Sequence, residues 1–376
     1  MGKNTQCVHS GAIRDDMTCG LNSPVFTSSS FRYMDTAETV YPRYFNTPNQ
    51  KAVVEKLCAL ENAEAGLLFS SGMAAISTVI FALLSHGDHI VMQRDIYGGT
   101  HHFTTFEFDR FGIEYTFVSN HIDAFEQAVR ADTRLVYIET PSNPLLWITD
   151  IQAVAQLAKS KALISVIDNT FASPINQNPL DLGIDVVVHS GTKYLGGHSD
   201  ICCGAALASR ALIDQIRASA LNFGGNLNAD VCYALERSLK TLGLRVSKQN
   251  QNALKIARYL HEHPAIRKVY YPGLESHPGF DVAARQMHGY GGMLSFELDE
   301  TRLRPDPFVR RLNLITPAVS LGGVETPICA PVQTSHAKLS TAERAEMGIT
   351  ESLFRLSVGI EDVEDLIADL EQALGG

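Results

Sequence analysis

Cysteine is scarce in this sequence of 376 residues, which has seven cysteines and no CxxC pair among them. Because the cysteines also lack the spacing of metal ligands, the sequence gives no disulfide framework and no thiolate metal site, and we predict no metal. Long apolar runs are absent, and the residues that follow Met1 lack the apolar core of a signal peptide. We therefore expect free thiols in a reducing, cytoplasmic protein that does not associate with a membrane.

Positive charge is also in deficit, because 31 lysines and arginines face 41 aspartates and glutamates and the formal net charge is −10. No block of lysine or arginine stands out, which excludes nucleic acid and an anionic membrane as the main partner. A content of 45% hydrophobic and 19% charged residues is ordinary for a soluble globular protein. The length suffices for two domains and a large core.

Strand-like and helical segments alternate between residues 89 and 208. Short apolar runs, typical of strands buried on both faces, are separated by stretches with a helical period. This alternation predicts an α/β fold with a mostly parallel, doubly wound sheet and helices on both faces. The strand-like segments are His89–Met92, Glu114–Val118, Leu135–Glu139, Leu163–Asp168, Asp185–Val188 and Cys203–Ala208.

The pattern changes after about residue 230, where a long helical stretch begins, with Gly243 as a predicted kink. A second αβ region follows and closes with an amphipathic helix over Val363–Leu374. The first segment shows no sustained period and predicts an extended arm that needs another surface to order it. We predict an N-terminal arm over residues 1–49, a large domain over 50–234 and a smaller C-terminal α/β domain over 235–376.

The stretch from residue 185 to residue 200 organises the rest of the chain. Its apolar run Val186–Val188 predicts a buried strand, which ends in Ser190, Thr192 and Lys193 and is followed by two glycines. In an open α/β sheet, ligands bind beyond the carboxyl ends of the strands. A lysine beside two hydroxyls suits an imine-forming nucleophile near a phosphate, although this stretch alone is equally compatible with a lysine on a surface loop.

Two neighbouring strands also end in polar residues. Asn143 follows the strand that ends at Glu139, and Asp168 closes the strand that precedes the lysine stretch. Singly, Asn143 and Asp168 are more commonly caps of the helices that follow. Together with Lys193 at the same sheet edge, they favour catalysis with pyridoxal 5'-phosphate. Lys193 would hold this cofactor as an imine, and Asp168 would keep the pyridine nitrogen protonated.

A Ser-Ser-Gly turn at residues 70–72 runs into an apolar helix, an arrangement that presents backbone amides to an anion. Ser71, Gly72 and Met73 are therefore candidate ligands of the cofactor phosphate, together with Ser190 and Thr192. Many turns between a strand and a helix contain serine and glycine, so this assignment depends on the lysine stretch.

Seven segments are long enough to be specific: SSGMAA (70–75), YGGT (97–100), ETPSNPL (139–145), DNTF (168–171), HSGTKYLGGHSD (189–200), VSLGGVET (319–326) and RLSVGIED (355–362). They resemble the Cys/Met-metabolism family of pyridoxal phosphate enzymes, which includes cystathionine γ-synthase, cystathionine β- and γ-lyases and methionine γ-lyase. The resemblance extends from about residue 4 to the end of the chain. It implies a fold-type-I, aspartate-aminotransferase-like architecture and a homotetramer of dimers that share active sites and act on a small amino acid.

The same resemblance implies roles for residues around the cofactor. Tyr97 would stack on the cofactor ring and act near the leaving group, while Thr170 and Ser320 would lie beside the ring and the lysine. Asn143 would contact the ring oxygen or the substrate carboxylate. Arg355 would bind that carboxylate in bidentate fashion, which suits the planar guanidinium.

The resemblance also gives the arm a function, because Tyr41 and Arg43 would reach the phosphate of the neighbouring subunit. Members of the family commonly have asparagine followed directly by proline in this loop. Here Thr47 stands between Asn46 and Pro48, so the loop departs from the family pattern although Tyr41 and Arg43 keep their spacing.

Two positions that differ among family members point in opposite directions. Methionine γ-lyases typically have cysteine where this chain has Gly99, and cystathionine-processing members typically have glutamate where it has Val319. An apolar Val319 removes a partner for the distal ammonium of cystathionine and favours a smaller thioether substrate. We expect a carbon–sulfur lyase that gives a thiol, a 2-oxo acid and ammonia by γ-elimination, with methionine or cystathionine as substrate. A γ-replacement transferase of the cystathionine γ-synthase type and a cystathionine β-lyase stay open as alternatives.

Overall fold

The computed structural model describes residues 1–334, 337 and 340–375 of the chain. Its larger sheet has seven strands in the order β1-β7-β6-β5-β4-β2-β3, and all of them run parallel except β7. The prediction of a mostly parallel sheet is therefore confirmed. The strands are β1 (Ala65–Phe69), β2 (His89–Gln93), β3 (Glu114–Val118), β4 (Thr133–Glu139), β5 (Ile164–Asp168), β6 (Val186–Ser190) and β7 (Gly204–Ala208).

Helices cover both faces of this sheet, because its central strands are apolar on both sides. Val187 faces one layer of core side chains, while its neighbour Val188 faces a second layer. Full burial of each such aliphatic side chain contributes about 1.5–3 kcal/mol. The helices of this part of the chain are α1 (Lys3–His9), α2 (Pro48–Glu61), α3 (Gly72–Leu83), α4 (Gly98–Phe111), α5 (Ile122–Ala128), α6 (Ile151–Ser160), α7 (Ser173–Asn176), α8 (Arg210–Phe223) and α9 (Ala229–Leu239).

A second, smaller sheet follows in the C-terminal part of the chain, with five strands in the order β10-β11-β12-β9-β8. Its central strands β12 and β9 pair antiparallel, and α10 and α14 bury its inner face. The elements are α10 (Leu242–Glu262), β8 (Ile266–Tyr270), α11 (Phe280–Gln286), β9 (Met293–Leu298), α12 (Pro305–Arg311), β10 (Thr316–Pro317), β11 (Pro327–Cys329), α13 (Thr341–Glu346), β12 (Leu353–Ser357) and α14 (Val363–Gly375). Short 3-10 helices occur at Pro42–Tyr44, Pro179–Leu182 and Pro331–Gln333.

The predicted kink at Gly243 is wrong. The helical stretch breaks two residues earlier, at Thr241, and Gly243 lies inside α10. A Cβ at residue 243 would meet the side-chain amide of Asn4 in α1, so the two helices approach each other closely at this glycine. The position therefore serves packing between helices and not a bend within one helix.

The segment that precedes α2 has more regular structure than its sequence predicts. Helix α1 packs on α2, with Cys7 buried, and the buried Lys56 donates a hydrogen bond to the carbonyl of Cys7 at 3.0 Å. A helix of seven residues is too short to show an apolar period, which explains why the sequence pattern missed it. The extra Thr47 precedes Pro48 at the start of α2, and its backbone N–H donates to the Gln50 side chain at 3.0 Å. The domain limits stay a prediction.

Within the described ranges, no helix is long and apolar enough to cross a bilayer.

Candidate active site

A cleft of about 500 Å3 lies between the carboxyl ends of the central strands and the smaller sheet. The neighbouring strands β4, β5 and β6 end at Glu139, Asp168 and Ser190, as expected for a ligand site of an α/β sheet. The cleft brings together all the predicted site residues except two from the arm. These residues are Ser71, Gly72, Met73, Tyr97, Asn143, Asp168, Thr170, Ser190, Thr192, Lys193, Val319, Ser320 and Arg355.

Lys193 lies in the loop that leaves β6, with its side chain in the cleft and not on the surface. Its Nζ donates a hydrogen bond to the hydroxyl of Ser320 at 2.9 Å. Burial and the nearby positive charge of Arg355 lower the pKa of the Lys193 amine. The buried Arg245 fixes the next residue by donating to the carbonyl of Tyr194 at 2.9 Å. The loop thus holds a lysine whose neutral, nucleophilic form is reached at a lower pH than that of an exposed lysine.

Asp168 is the last residue of β5 and is only 5% exposed. Burial raises the pKa of this carboxyl, while hydrogen bonds from Thr170 oppose the rise. The Thr170 backbone N–H donates to Asp168 Oδ1 at 3.0 Å. A positive charge next to Asp168 would compensate for the hydration that the carboxylate loses on burial. The site is therefore suited to a protonated pyridine nitrogen.

The N-terminus of α3 forms a third corner of the cleft. The Ser71 hydroxyl accepts the Ala74 N–H at 3.0 Å and so caps the helix, and the amides of the first turn carry the positive end of the helix dipole. A Cβ on Gly72 would come within 2.7 Å of the Ser190 Cβ, so glycine lets α3 approach the end of β6. The Ser190 N–H donates to the Thr170 hydroxyl at 2.8 Å. This corner offers hydroxyls and amides to a phosphate.

Arg355 reaches the cleft from β12 and is 5% exposed. Its Nη1 donates to the Asn143 side-chain oxygen at 2.8 Å, so the large and small parts of the chain meet here. Asn143 lies between two cis peptide bonds, at Thr140–Pro141 and Asn143–Pro144. Among the residues that the structure describes, no carboxylate forms an ion pair with Arg355. A buried guanidinium of this kind suits the carboxylate of an amino acid.

Tyr97 and Val319 lie at the open side of the cleft, where they are 44% and 69% exposed. The Tyr97 backbone N–H donates to the side chain of Glu139 at 2.7 Å. Its ring lies against Gly99, at a place that any side chain on residue 99 would occupy. The observed position of the Tyr97 ring is therefore possible only because residue 99 has no side chain.

Tyr41 and Arg43 are the two predicted residues that this cleft does not contain. Tyr41 is exposed, and the Arg43 guanidinium donates to the carbonyl of Leu221 at 2.5 Å. Their predicted partner is the phosphate of a neighbouring subunit, so their distance from the cleft of the same chain leaves that prediction untested.

Several cleft residues received no role from the sequence. Glu139 was visible only as a polar strand end, and nothing in the sequence showed that it contacts Tyr97. Gln333 ends the 3-10 helix Pro331–Gln333 and Thr334 follows it, and only the tertiary structure brings these two residues to the cleft. The residues without a predicted role are Ile76, Glu139, Phe171, Cys202, Leu321, Gln333 and Thr334.

The donor set fits pyridoxal 5'-phosphate at three corners of one cleft. Lys193 provides an amine, Asp168 provides a buried carboxylate for the ring nitrogen, and the N-terminus of α3 with Ser190 provides a phosphate cradle. No group of three or more histidine, cysteine, aspartate or glutamate side chains suited to a metal occurs in the described part of the chain. The arrangement can form an imine, hold an amino acid by its carboxylate and move protons.

Comparison with known proteins agrees with this fit. The model of the Cys/Met metabolism PLP-dependent enzyme family matches residues 4–375. The chain is 43% identical to a cystathionine gamma-lyase of Bacillus subtilis (strain 168), covering 100% of this chain and 99% of the relative. It is 44% identical to a cystathionine beta-lyase MetC of the same strain, and the match covers 98% of this chain and 95% of the relative.

A crystal structure of cystathionine gamma-lyase from Lactobacillus plantarum, complexed with L-serine, superimposes with a TM-score of 0.96 at 42% identity. The match covers 100% of this chain and 99% of that chain, which confirms the fold predicted from the resemblance. Because similar relatives have different activities, the comparison establishes an enzyme that uses pyridoxal phosphate but leaves the specific reaction unresolved. The chain belongs to the Cys/Met metabolism family of pyridoxal phosphate-dependent enzymes.

Proposed function

We propose that this enzyme is a carbon–sulfur lyase that cleaves a small thioether amino acid by γ-elimination and releases a thiol, a 2-oxo acid and ammonia. Methionine is the preferred substrate in this proposal, and cystathionine is the second. The observation that carries it is the exposed, apolar Val319 at the mouth of the cleft, next to the Ser320 that contacts Lys193.

Substrate binding starts at the carboxylate. Arg355 has a planar fork of donors, one of which already contacts Asn143, so it can bind two carboxylate oxygens and fix the substrate in one register. This places the amino group of the substrate toward Lys193, which lies in the same cleft.

Proton transfer falls to Lys193. Bound pyridoxal phosphate supplies the electron sink that makes the Cα proton of the substrate acidic. Once freed from the cofactor, the Lys193 amine is a base whose pKa is lowered, and Ser320 holds its Nζ on the side of the cleft where Arg355 enters. It would take the proton from Cα, give that proton up to the bound cofactor, and, neutral again, take a proton from Cβ.

Departure of the sulfur needs an acid at the open end of the cleft. Tyr97 lies there with its side chain 44% exposed, so its phenol can approach a leaving thiolate and donate a proton. Buried Asp168 would keep the ring nitrogen protonated throughout these steps.

The mouth of the cleft favours a substrate without a distal charge. Val319 is apolar, and Gln333 and Thr334 are neutral. Among the described residues that line the cleft, the acidic side chains are Glu139 and Asp168, which are buried at the strand ends and hydrogen-bonded there. Inside the cleft, the distal ammonium of cystathionine would therefore lose water without gaining a carboxylate partner from these residues, whereas a methylthio group loses little.

The proposal includes a homotetramer of dimers that share their active sites, with Tyr41 and Arg43 contributed to the phosphate of the neighbouring subunit. Its support is the arm itself, which leaves large apolar side chains exposed. Tyr33 is 73% exposed and Met34 is 60% exposed, which is costly for a surface that contacts only water.

Product analysis tests the proposal against its two alternatives. The purified holoenzyme is incubated separately with L-methionine, with L-cystathionine, and with an O-acylhomoserine plus cysteine, and the products are identified by mass spectrometry. We expect methanethiol and 2-oxobutyrate from methionine at the highest kcat/KM. Homocysteine and pyruvate from cystathionine, with methionine untouched, would establish a β-lyase instead, and cystathionine formed in the third mixture would establish γ-replacement.

A further inference from the structure

Glu139 is a buried carboxyl group within the active-site cleft to which the proposed mechanism assigns no role. It ends β4, is 2% exposed, and stands directly opposite Asp168 in the register of β4 and β5. Partners in adjacent strands point to the same face of the sheet, so two carboxyl groups lie side by side in a site from which water is largely excluded.

The backbone of Glu139 is held firmly from the neighbouring strand. Gln93 at the end of β2 donates to the Glu139 carbonyl at 2.9 Å and accepts its N–H at 3.4 Å. Gln93 is itself fixed by the Thr149 hydroxyl at 2.9 Å. The position of the Glu139 carboxyl therefore follows from the sheet and not from a flexible loop.

The side chain of Glu139 holds one group, the backbone N–H of Tyr97, which it accepts at 2.7 Å. Tyr97 precedes α4, and its ring is half-exposed. This hydrogen bond fixes the Tyr97 backbone at the edge of the cleft, and the backbone in turn sets where the exposed ring can lie.

We infer that Glu139 is a positioning residue that works as a neutral carboxylic acid: it fixes Tyr97 at the leaving-group side of the cleft and leaves the negative charge of the strand ends to Asp168. The role assigned to Tyr97 rests on the proposed function. The protonation of Glu139 and its hydrogen bond to Tyr97 do not depend on which substrate is cleaved.

Charge and hydrogen bonding decide which of the two carboxyls keeps the proton. Asp168 accepts the Thr170 backbone N–H, and in the loaded enzyme it would face the protonated ring nitrogen, so its ionised form is favoured. Burial raises the pKa of Glu139 well above its usual range, and the carboxyls of Asp168 and Asp95 add to the rise. The Tyr97 N–H and Arg355 oppose this rise in pKa. Two ionised carboxylates side by side are unfavourable in a buried site, so the proton resides on Glu139.

A neutral Glu139 uses its carbonyl oxygen for the Tyr97 N–H. Glutamine reproduces this acceptor with almost the same shape and cannot ionise, whereas leucine removes the acceptor and keeps the bulk. The pair Glu139→Gln and Glu139→Leu therefore separates protonation and hydrogen bonding from simple packing. The matched control is Glu107→Gln in α4, the helix that follows Tyr97, because the Glu107 carboxylate pairs with Arg110 outside the cleft.

The test measures protonation directly in the loaded enzyme. Infrared difference spectra of the holoenzyme at neutral pH should show the carbonyl band of a protonated, buried carboxylic acid, and this band should be missing in Glu139→Gln but present in Glu107→Gln. A wild-type spectrum without the band, or an unchanged band in Glu139→Gln, would overturn the inference. Neither result depends on the identity of the substrate.

Kinetics complete the test with whichever substrate the wild type cleaves. We expect Glu139→Gln to keep kcat within about threefold, and Glu139→Leu to lower kcat about tenfold or more with KM changed less than about threefold. On raising the pH, wild-type kcat should fall as Glu139 ionises, and Glu139→Gln should lack that fall. Equal losses in both variants, or identical pH profiles for Glu139→Gln and wild type, would show that the residue has only a packing role.

Discussion

The cleft has two walls that differ in how their side chains are held. The strand-end wall, made of Glu139, Asp168 and Ser190, is formed by neighbouring strands and is fixed by the sheet register and by hydrogen bonds to backbone N–H groups. The mouth wall, made of Tyr97, Val319 and Gln333, is exposed and lies on loops and a helix start. The residues that serve the shared chemistry are held in place by the sheet. The residues proposed to select the substrate are exposed, so a side chain there can be replaced with little loss of stability.

The largest difference between the two walls should appear when the nucleophile Lys193, beside the strand-end wall, is removed. Lys193→Ala should lower turnover by at least about a thousandfold, because among the described residues that line the cleft no other side chain can form the imine. Borohydride treatment followed by mass spectrometry of the intact protein should show cofactor fixed to wild type and none fixed to the variant. Lys161→Ala, on the surface, serves as control. An active Lys193→Ala variant would overturn the assignment of the site.

The carboxylate anchor should be almost as sensitive to its exact chemistry. Arg355→Lys keeps the positive charge but loses the fork that contacts Asn143, so kcat/KM should fall about a hundredfold, mainly through KM. Steady-state kinetics with saturating pyridoxal phosphate measure this loss, and the cofactor absorbance shows whether loading is intact. A fall in cofactor content with unchanged KM would mean that Arg355 serves the cofactor and not the substrate.

The mouth wall should tolerate a drastic change that alters preference more than activity. Val319→Glu supplies a carboxylate for a distal ammonium, and we expect the ratio of kcat/KM for cystathionine to that for methionine to rise about tenfold. Because Val319 is 69% exposed, the free energy of unfolding should change by less than about 0.5 kcal/mol. Val319→Leu keeps an apolar side chain and should leave the ratio near that of wild type. A ratio unchanged in Val319→Glu would place the selection of substrate elsewhere.

The smallest expected effect is a shift along the pH axis of cofactor capture. Burial and Arg355 lower the pKa of the free Lys193 amine, so its neutral form is present at a lower pH than in an exposed lysine, whose reference pKa is 10.5. The rate at which the apoenzyme captures pyridoxal phosphate should rise with pH and level off below that value, as stopped-flow absorbance can follow. Arg355→Met removes one cause of the shift and should move the midpoint upward. A midpoint equal to that of a lysine model peptide would contradict the expected environment.

The sequence reveals the strand-end wall well and the mouth wall poorly, for a physical reason. Asp168 and Lys193 follow apolar strands, and parallel strands bring their ends to one edge, so periodicity alone places them together. The contact between Arg355 and Asn143 joins residues far apart in the chain. The family resemblance gave each of them a role near the substrate carboxylate, but it did not predict the hydrogen bond between them. Helix α1 was missed because its burial comes from other helices, and the partner of Glu139 was missed because a backbone N–H leaves no trace in residue type.

The bare backbone at Gly99 has a consequence for the variability of this position. Because the ring of Tyr97 lies where a Cβ on residue 99 would stand, a side chain there has to displace the ring. We therefore expect a substitution at residue 99 to act on the enzyme through the position of the Tyr97 phenol, without itself contacting the substrate.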